Sequence, residues 1–321
     1  MKIKKYLLTL TIVLMFSISN AQFVKHHGQL SVNGTQLVDK NNNAIVLRGM
    51  SFGWHNWWPR FYNEKTVSWL KKDFNCNVVR AAMGIEPGEW SYIKNPEFSK
   101  QKIEAVVNGA IKSDIYVIID WHSHNINLKE AKGFFSEVSK KYAKYPNIIY
   151  EIFNEPDNET WPEIKAYSEE IIKVIRENDP RNIILVGSPN WDQYVDLPAA
   201  DPIKGFDNIM YTMHFYAASH AKVLRERTDE AIKSGLPIFI SESAGVDVSG
   251  GVPIDIKAWQ EYIDWMEARK LSWITWSISD KDETCSILKE SAKSEGKWKD
   301  DDLKESGIKV RELLRKYNTR D

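Results

Sequence analysis

The chain has 321 residues, of which 27% are charged, 43% hydrophobic and 12% aromatic, with 16 Gly and 12 Pro scattered along it. This composition excludes collagen-like, coiled-coil and disordered classes and can supply a sizeable core. The 43 basic and 44 acidic side chains leave a net charge of −1 with no basic stripe, which argues against a nucleic-acid partner.

At the N-terminus, Lys2, Lys4 and Lys5 precede an apolar run from Tyr6 to Phe16, and Ser17-Ile-Ser-Asn-Ala21 after it supplies a small-x-small cleavage site. This pattern predicts a secretory signal peptide over residues 1–21, and the run is too short for the roughly 18–20 residues of a membrane span. Cleavage after Ala21 removes three lysines and no acid, moving the net charge from −1 to −4. The expectation is a secreted or periplasmic, monomeric protein with one domain over residues 22–321 and no membrane association after cleavage.

Next comes a β-hairpin over Gln29–Asp39, with Asn33-Gly34 as its turn. His26 and His27 before it read as solvated. Apolar strand-like runs then alternate with amphipathic stretches. The strand candidates are Ile45–Phe52, Asn77–Met83, Tyr116–Ser123, Ile148–Pro156, Asn182–Trp191, Asn208–Ala217, Pro237–Ala244 and Ser272–Ser279. Helical candidates are Glu64–Phe74, Glu97–Lys112, Asn127–Lys144, Trp161–Asn178, Ser219–Lys233, Asp255–Arg269 and Leu303–Tyr317. Eight strand–helix units of about 30 residues, with strands apolar throughout, predict a single (β/α)8 TIM barrel behind the N-terminal hairpin. A doubly wound sheet is disfavoured because no Gly-rich phosphate loop occurs. Trp69, Trp259 and Trp265 fall at helical spacing and read as packing, and Lys293–Asp302 reads as a solvated loop. Cys76 precedes the second strand and Cys285 follows the eighth, which places them at opposite barrel ends and predicts two free thiols.

In a barrel of this kind, catalytic groups come from the C-terminal strand ends. Those ends here carry Arg80, Asp120-Trp121-His122, Asn154-Glu155, His214-Phe215-Tyr216, Ser241-Glu242-Ser243 and Trp276 through Lys281. Glu155 and Glu242 end the fourth and seventh strands, which face each other across a closed barrel. Two carboxylates flanking a sugar bond are the minimum equipment of glycoside hydrolysis, one protonated as acid and one ionised to attack carbon or activate water. Spacing alone leaves open which does which. The thirteen Trp, many beside Gly, Pro, His and Asn, suit stacking on sugar rings.

Asn154-Glu155-Pro156, in the order Arg80, His122, Asn154-Glu155, His214-x-Tyr216, Glu242 and Trp276, resembles glycoside hydrolase family 5 of the cellulase A type, and in particular its bacterial endo-β-1,4-glucanases. The likeness runs from the hairpin through Leu47-Arg48-Gly49-Met50 to Trp276 and Glu283. It implies Glu155 as acid/base, Glu242 as nucleophile, and Arg80 and Tyr216 keeping Glu242 ionised. It further implies that Asn154 contacts the sugar 2-hydroxyl, His122 and His214 line the cleavage subsite, Trp276 and Trp57 stack on sugar, and Lys281 binds hydroxyls. Trp54, His55 and Trp58 fall where the family builds further subsites. The implied substrate is β-1,4-glucan or cello-oligosaccharide, with no metal or organic cofactor, and β-mannan or xyloglucan are alternatives on the same scaffold. Two positions depart from the family pattern: Phe52-Gly53-Trp54 replaces a common Ser-His-Gly, and Gly84 stands where Tyr is frequent. His124, Trp90 and Trp191 read equally as groove lining or loop packing.

Two rival readings remain. His122-x-His124 could form half of a metal site, because residues two apart on a strand point the same way. A non-catalytic sugar-binding barrel needs only the tryptophans, although both carboxylates stand here. With no binding module visible, soluble or amorphous glucan should be cut better than crystals.

Overall fold

A computed structural model describes residues 22–318; the expected signal peptide lies outside them. Strands β1 (Ser31–Asn33) and β2 (Gln36–Val38) form the antiparallel hairpin. Eight parallel strands follow: β3 (Arg48–Phe52), β4 (Val78–Gly84), β5 (Tyr116–His122), β6 (Ile148–Glu151), β7 (Ile183–Val186), β8 (Ile209–Tyr216), β9 (Ile238–Ala244) and β10 (Trp273–Ile278). They close into a barrel in sequence order, with β10 pairing β3. The expected (β/α)8 barrel is therefore the observed one.

The strands are buried along almost their whole length, as sheets covered on both faces must be. Helices Pro96–Ser113, Leu128–Tyr142, Trp161–Arg176, Lys222–Lys233, Ile256–Arg269 and Glu305–Tyr317 pack their apolar stripes on the outside. Thr160 and Glu163 close a capping box that starts the third of these. Trp259 and Trp265 are buried between helix and barrel, and Trp69 is packed against the same core. A second apolar cluster plugs the bottom of the barrel. Val24, Leu30, Leu37 and Leu47 meet Val78, Ile118, Ile149, Leu185, Phe239 and Ile274 there.

Several local expectations are corrected. Asn33 pairs with Gln36, so the tight turn is Gly34-Thr35, one residue later than expected. Gly34, at φ 59, supplies the positive φ that its first central position demands. His27 is not free in solvent: its Nδ1 lies 3.2 Å from Asp39 Oδ2. The stretch from Lys293 to Asp302 is anchored rather than solvated, because Trp298 is buried against Phe61 and Phe74 and its Nε1 donates to the Lys293 carbonyl at 2.7 Å. Sequence charge concealed that anchor. Both cysteines are buried free thiols.

Strand β6 stops at Glu151, five residues before the expected end. The chain still runs beside β5, since Asn154 N donates to Trp121 O and Glu155 N to Ser123 O, both at 3.2 Å. That extension carries Glu155 to the barrel mouth.

Candidate active site

Arg80 on β4 is fully buried and organises the mouth of the barrel. Its Nε donates to Glu151 Oε2 at 2.6 Å, Nη1 to Glu242 Oε2 at 2.8 Å and Nη2 to Asn154 Oδ1 at 2.6 Å. Asp120 Oδ2 lies 3.0 Å from Nη2. An arginine can only donate, so Asn154 must present its oxygen here. Its Nδ2 consequently has no hydrogen-bond partner among the described residues.

Strand pairing sets His214 of β8 beside Glu242 of β9. The Tyr216 hydroxyl donates to Glu242 Oε1 at 2.8 Å, so both oxygens of Glu242 accept a hydrogen bond. Glu155 differs. Its Oε1 lies 2.9 Å from His214 Nδ1, while Oε2 has a longer approach from His124 Nδ1, at 3.8 Å. One oxygen of Glu155, one of Glu242 and a His214 nitrogen lie within 4.8 Å of one another.

The electrostatics follow from burial. Removal from water would lower Arg80, but Asp120, Glu151 and Glu242 around it raise it well above the usual arginine value. Burial raises Glu151, yet Arg80 and His214 outweigh that and hold it below the usual carboxylate value. The two contacts expected to keep Glu242 ionised are present, but its carboxyl is nevertheless raised. Burial and the charge of Glu155 push it up, and Arg80, shared among three carboxylates, pulls it only partly back. Burial and the nearby Arg80 hold His122 well below the usual histidine value, and its Nδ1 lies 2.7 Å from Asp120 Oδ2.

These groups open into a cleft lined by Trp54, Trp57, Trp58, His122, His124, Glu155, Tyr216, Glu242, Trp276, Lys281, Glu283 and Cys285, with Val248–Gly250. Trp276 stacks on His122 with centroids 5.2 Å apart, and Trp57 stands half exposed at the rim. Lys281 is paired with Glu283. His124 joins the cleft, whereas Trp90 and Trp191 are exposed outside its lining.

His55 does not face the cleft. It is buried, with Nδ1 accepting from Gly84 N at 3.0 Å and Nε2 2.8 Å from Ser99 Oγ, and burial lowers its pKa to about 3. The two departures from the family pattern meet in space: a Cβ on Gly84 would stand 2.7 Å from Trp54 Cε3 and 2.3 Å from Asn56 Oδ1. Trp54 thus occupies room that a side chain at position 84 would need. Among the described residues, His122 and His124 belong to no cluster of three groups near enough to ligate one ion; their Nδ1 atoms lie at Asp120 and at the Glu155 carbonyl. Among the described residues, the three groups near enough to ligate one ion are Glu155, His214 and Glu242, whose facing atoms already engage one another, Arg80 and Tyr216.

Sequence reading gave no role to Asp120 or Asp192. Asp120 was detectable, because it stands two residues before His122 on one strand face. Asp192 gave no periodic signal; it lies in the loop after β7 and reaches His214 Nε2 at 3.2 Å.

The model of the cellulase family, glycosyl hydrolase family 5, matches residues 38–282. An endoglucanase of Clostridium saccharobutylicum is 41% identical over 91% of this chain and 66% of its own length. Endoglucanase A of Evansella cellulosilytica is 40% identical over 98% of this chain, again 66% of its length. The chain therefore spans about two thirds of these relatives. A structure from Cytophaga hutchinsonii superposes with a TM-score of 0.90 at 43% identity, covering 92% of this chain and 97% of that one. The catalytic domain of Thermobifida fusca endoglucanase Cel5A, as a variant in complex with cellotetraose, has a TM-score of 0.86 at 33% identity, covering 91% and 99%. Barrel, rim residues and these likenesses agree, and the chain belongs to glycoside hydrolase family 5, the cellulase family.

Proposed function

We propose that the protein is a retaining endo-β-1,4-glucanase in which Glu242 is the nucleophile and Glu155 the acid/base. The observation that carries this reading is that an oxygen of each carboxylate lies within 4.8 Å of the other at the floor of a tryptophan-lined cleft. Retaining enzymes hold the pair about 5–5.5 Å apart, whereas inverting ones need about 6.5–9.5 Å for an intervening water. Like charges this close disfavour double ionisation. Arg80 and Tyr216 donate into both oxygens of Glu242, which favours the ionised form there and suits it to be the nucleophile.

In the first step, a Glu242 oxygen bonds to the anomeric carbon while the glycosidic C–O bond breaks, and Glu155 gives its proton to the departing oxygen. In the second, Glu155 takes a proton from water, the hydroxide bonds to the anomeric carbon, and the ester to Glu242 breaks. The unpartnered Asn154 amide suits the sugar 2-hydroxyl, Trp276 and Trp57 suit ring faces, and Lys281 suits hydroxyls. Cello-oligosaccharide substrate is supported by the cellotetraose bound to the Thermobifida fusca relative. Export through residues 1–21 would deliver the enzyme to a polymer outside the cytoplasm. No helix of the described residues is long and apolar enough to cross a membrane.

The test is reducing-sugar release from carboxymethylcellulose, glucomannan and xylan, with Glu155→Gln and Glu242→Gln alongside and the anomer followed by NMR. Glucan cleavage lost in both variants, with β-product formed first, supports the proposal. Mannan cleavage alone keeps the mechanism and overturns the substrate. An α-product overturns the mechanism, and no cleavage by the wild type returns the sugar-binding reading.

A further inference from the structure

Behind the carboxylate pair lies a buried group that the two-step mechanism does not use. Asp192 is fully buried in the loop after β7. It gets there through an unusual backbone: Asn190, Trp191 and Asp192, none of them glycine, are all left-handed, with φ of 58, 53 and 61. Each such residue costs roughly 1–2 kcal/mol, and sequences keep such outliers where the surroundings over-determine them. The turn throws Trp191 outward, where it is exposed, and Asp192 inward. Asp192 Oδ1 accepts from Ser188 N. Oδ2 has no in-line donor among the described residues, but it stands 3.2 Å from His214 Nε2. The other ring nitrogen, Nδ1, is the one 2.9 Å from Glu155 Oε1.

We propose that Asp192 is a positioning residue for Glu155, acting through His214. Nε2 bonds Ser241 Oγ at 2.8 Å with the Asp192 carboxyl 3.2 Å away, and Nδ1 faces Glu155 at 2.9 Å; negative charge on both sides favours the imidazolium, which carries an N–H at each nitrogen. With Asp192 behind it, His214 donates to Glu155 Oε1 and leaves Oε2 to hold the proton for the departing oxygen. Without that charge the ring reverts to one proton, which Ser241 Oγ, 2.8 Å from Nε2, permits on either nitrogen. A bare Nδ1 would then draw the Glu155 proton away from the cleft. Burial raises the Asp192 carboxyl well above the usual carboxylate value, with His214 the first group pulling it back; burial lowers His214, but Asp192, Glu151 and Glu155 hold it well above the usual histidine value, so the two groups favour each other's charged form. The negative groups facing the ring are Asp192, Glu151 and Glu155, with Asp120 and Glu242 farther out; Arg80, His122, His124 and His220 oppose them. Removing the Asp192 charge makes the His214–Glu155 pair release its proton at lower pH.

This inference rests on Glu155 being the acid/base. The experiment measures kcat/KM against pH on aryl β-cellobiosides whose leaving groups run from 2,4-dinitrophenol to phenol, for wild type, Asp192→Asn and Glu155→Gln. An acid-catalysis defect grows as the leaving group worsens, whereas a merely structural defect does not. For Asp192→Asn the expected loss is about tenfold or more with phenol and within about threefold with dinitrophenol, with the alkaline limb moved to lower pH. Uniform loss across leaving groups with an unmoved limb overturns the inference. If Glu155→Gln shows the leaving-group dependence and Asp192→Asn does not, this inference alone falls. If Glu155→Gln shows none, the acid/base assignment falls and takes the inference with it. Should Asp192→Asn not fold, ¹⁵N NMR of wild-type His214 at neutral pH decides: two protonated ring nitrogens support the role of Asp192, and one overturns it.

Discussion

Replacing Tyr216 with Phe keeps the ring and removes one oxygen, so it isolates a single hydrogen bond to Glu242, 2.8 Å long. Hydrogen bonds to a charged acceptor contribute about 1.5–3 kcal/mol. At about 1.36 kcal/mol per pH unit, losing that bond disfavours the ionised carboxylate by about one to two units. Burial and Glu155 have already raised Glu242, and the Tyr216 hydroxyl is among the groups pulling it back. A nucleophilic carboxylate works ionised, so activity is present above its pKa and is lost as pH falls through it. The Phe variant must therefore lose activity at higher pH than wild type. Where wild type retains half its plateau kcat/KM, the variant should retain about one tenth or less. The assay is a pH profile on a dinitrophenyl cellobioside, whose leaving group minimises dependence on the acid. An acid limb that stays in place or moves down, in a variant of wild-type thermal midpoint, would refute both the hydrogen bond's role and the assignment of Glu242.

Two further outcomes follow from burial. Because Glu242 is raised in the folded protein, it contributes stability at low pH that is lost as pH rises through its folded value, so Glu242→Gln should melt above wild type at pH 8. That gap should narrow at pH 4; equal gaps in differential scanning fluorimetry at the two pH values would contradict the raised direction. Trp298→Ala removes the buried anchor of the 293–302 segment and should cost about 3–5 kcal/mol in denaturant unfolding, whereas a solvated loop would lose almost nothing.

The barrel was legible because its signal is periodic: eight apolar runs and intervening amphipathic stretches place every strand's start to within three residues, although Ile148–Glu151 and Ile183–Val186 each end five residues before the expected end. The rim was legible wherever a side chain sits on a strand, as Arg80, His122, His214, Tyr216 and Glu242 do, since position in the strand sets its direction. Legibility failed where loop backbone decides. His55 lies among tryptophans that face the cleft, but the turn after β3 sends it inward to Gly84 and Ser99. Asp192 depends on three left-handed residues that no glycine announces. Trp298 sits in a charged run whose composition says solvent, although its indole fills a gap beside Phe61 and Phe74. Gly84 and Trp54 looked like two separate departures and are one exchange of volume.

The plug beneath the barrel bears on how the molecule can be handled. Val24 N donates to the Asp114 carboxylate just before β5, and Asn318 Nδ2 donates to the carbonyls of Arg48 and Asn75, at the starts of β3 and β4. Both ends of the described chain are thus fastened to the floor, and the cleft opens at the opposite pole. A support or fusion partner attached through either end leaves the mouth of the barrel facing outward. An immobilised enzyme built this way keeps a long polymer's approach clear, whichever end carries the tether.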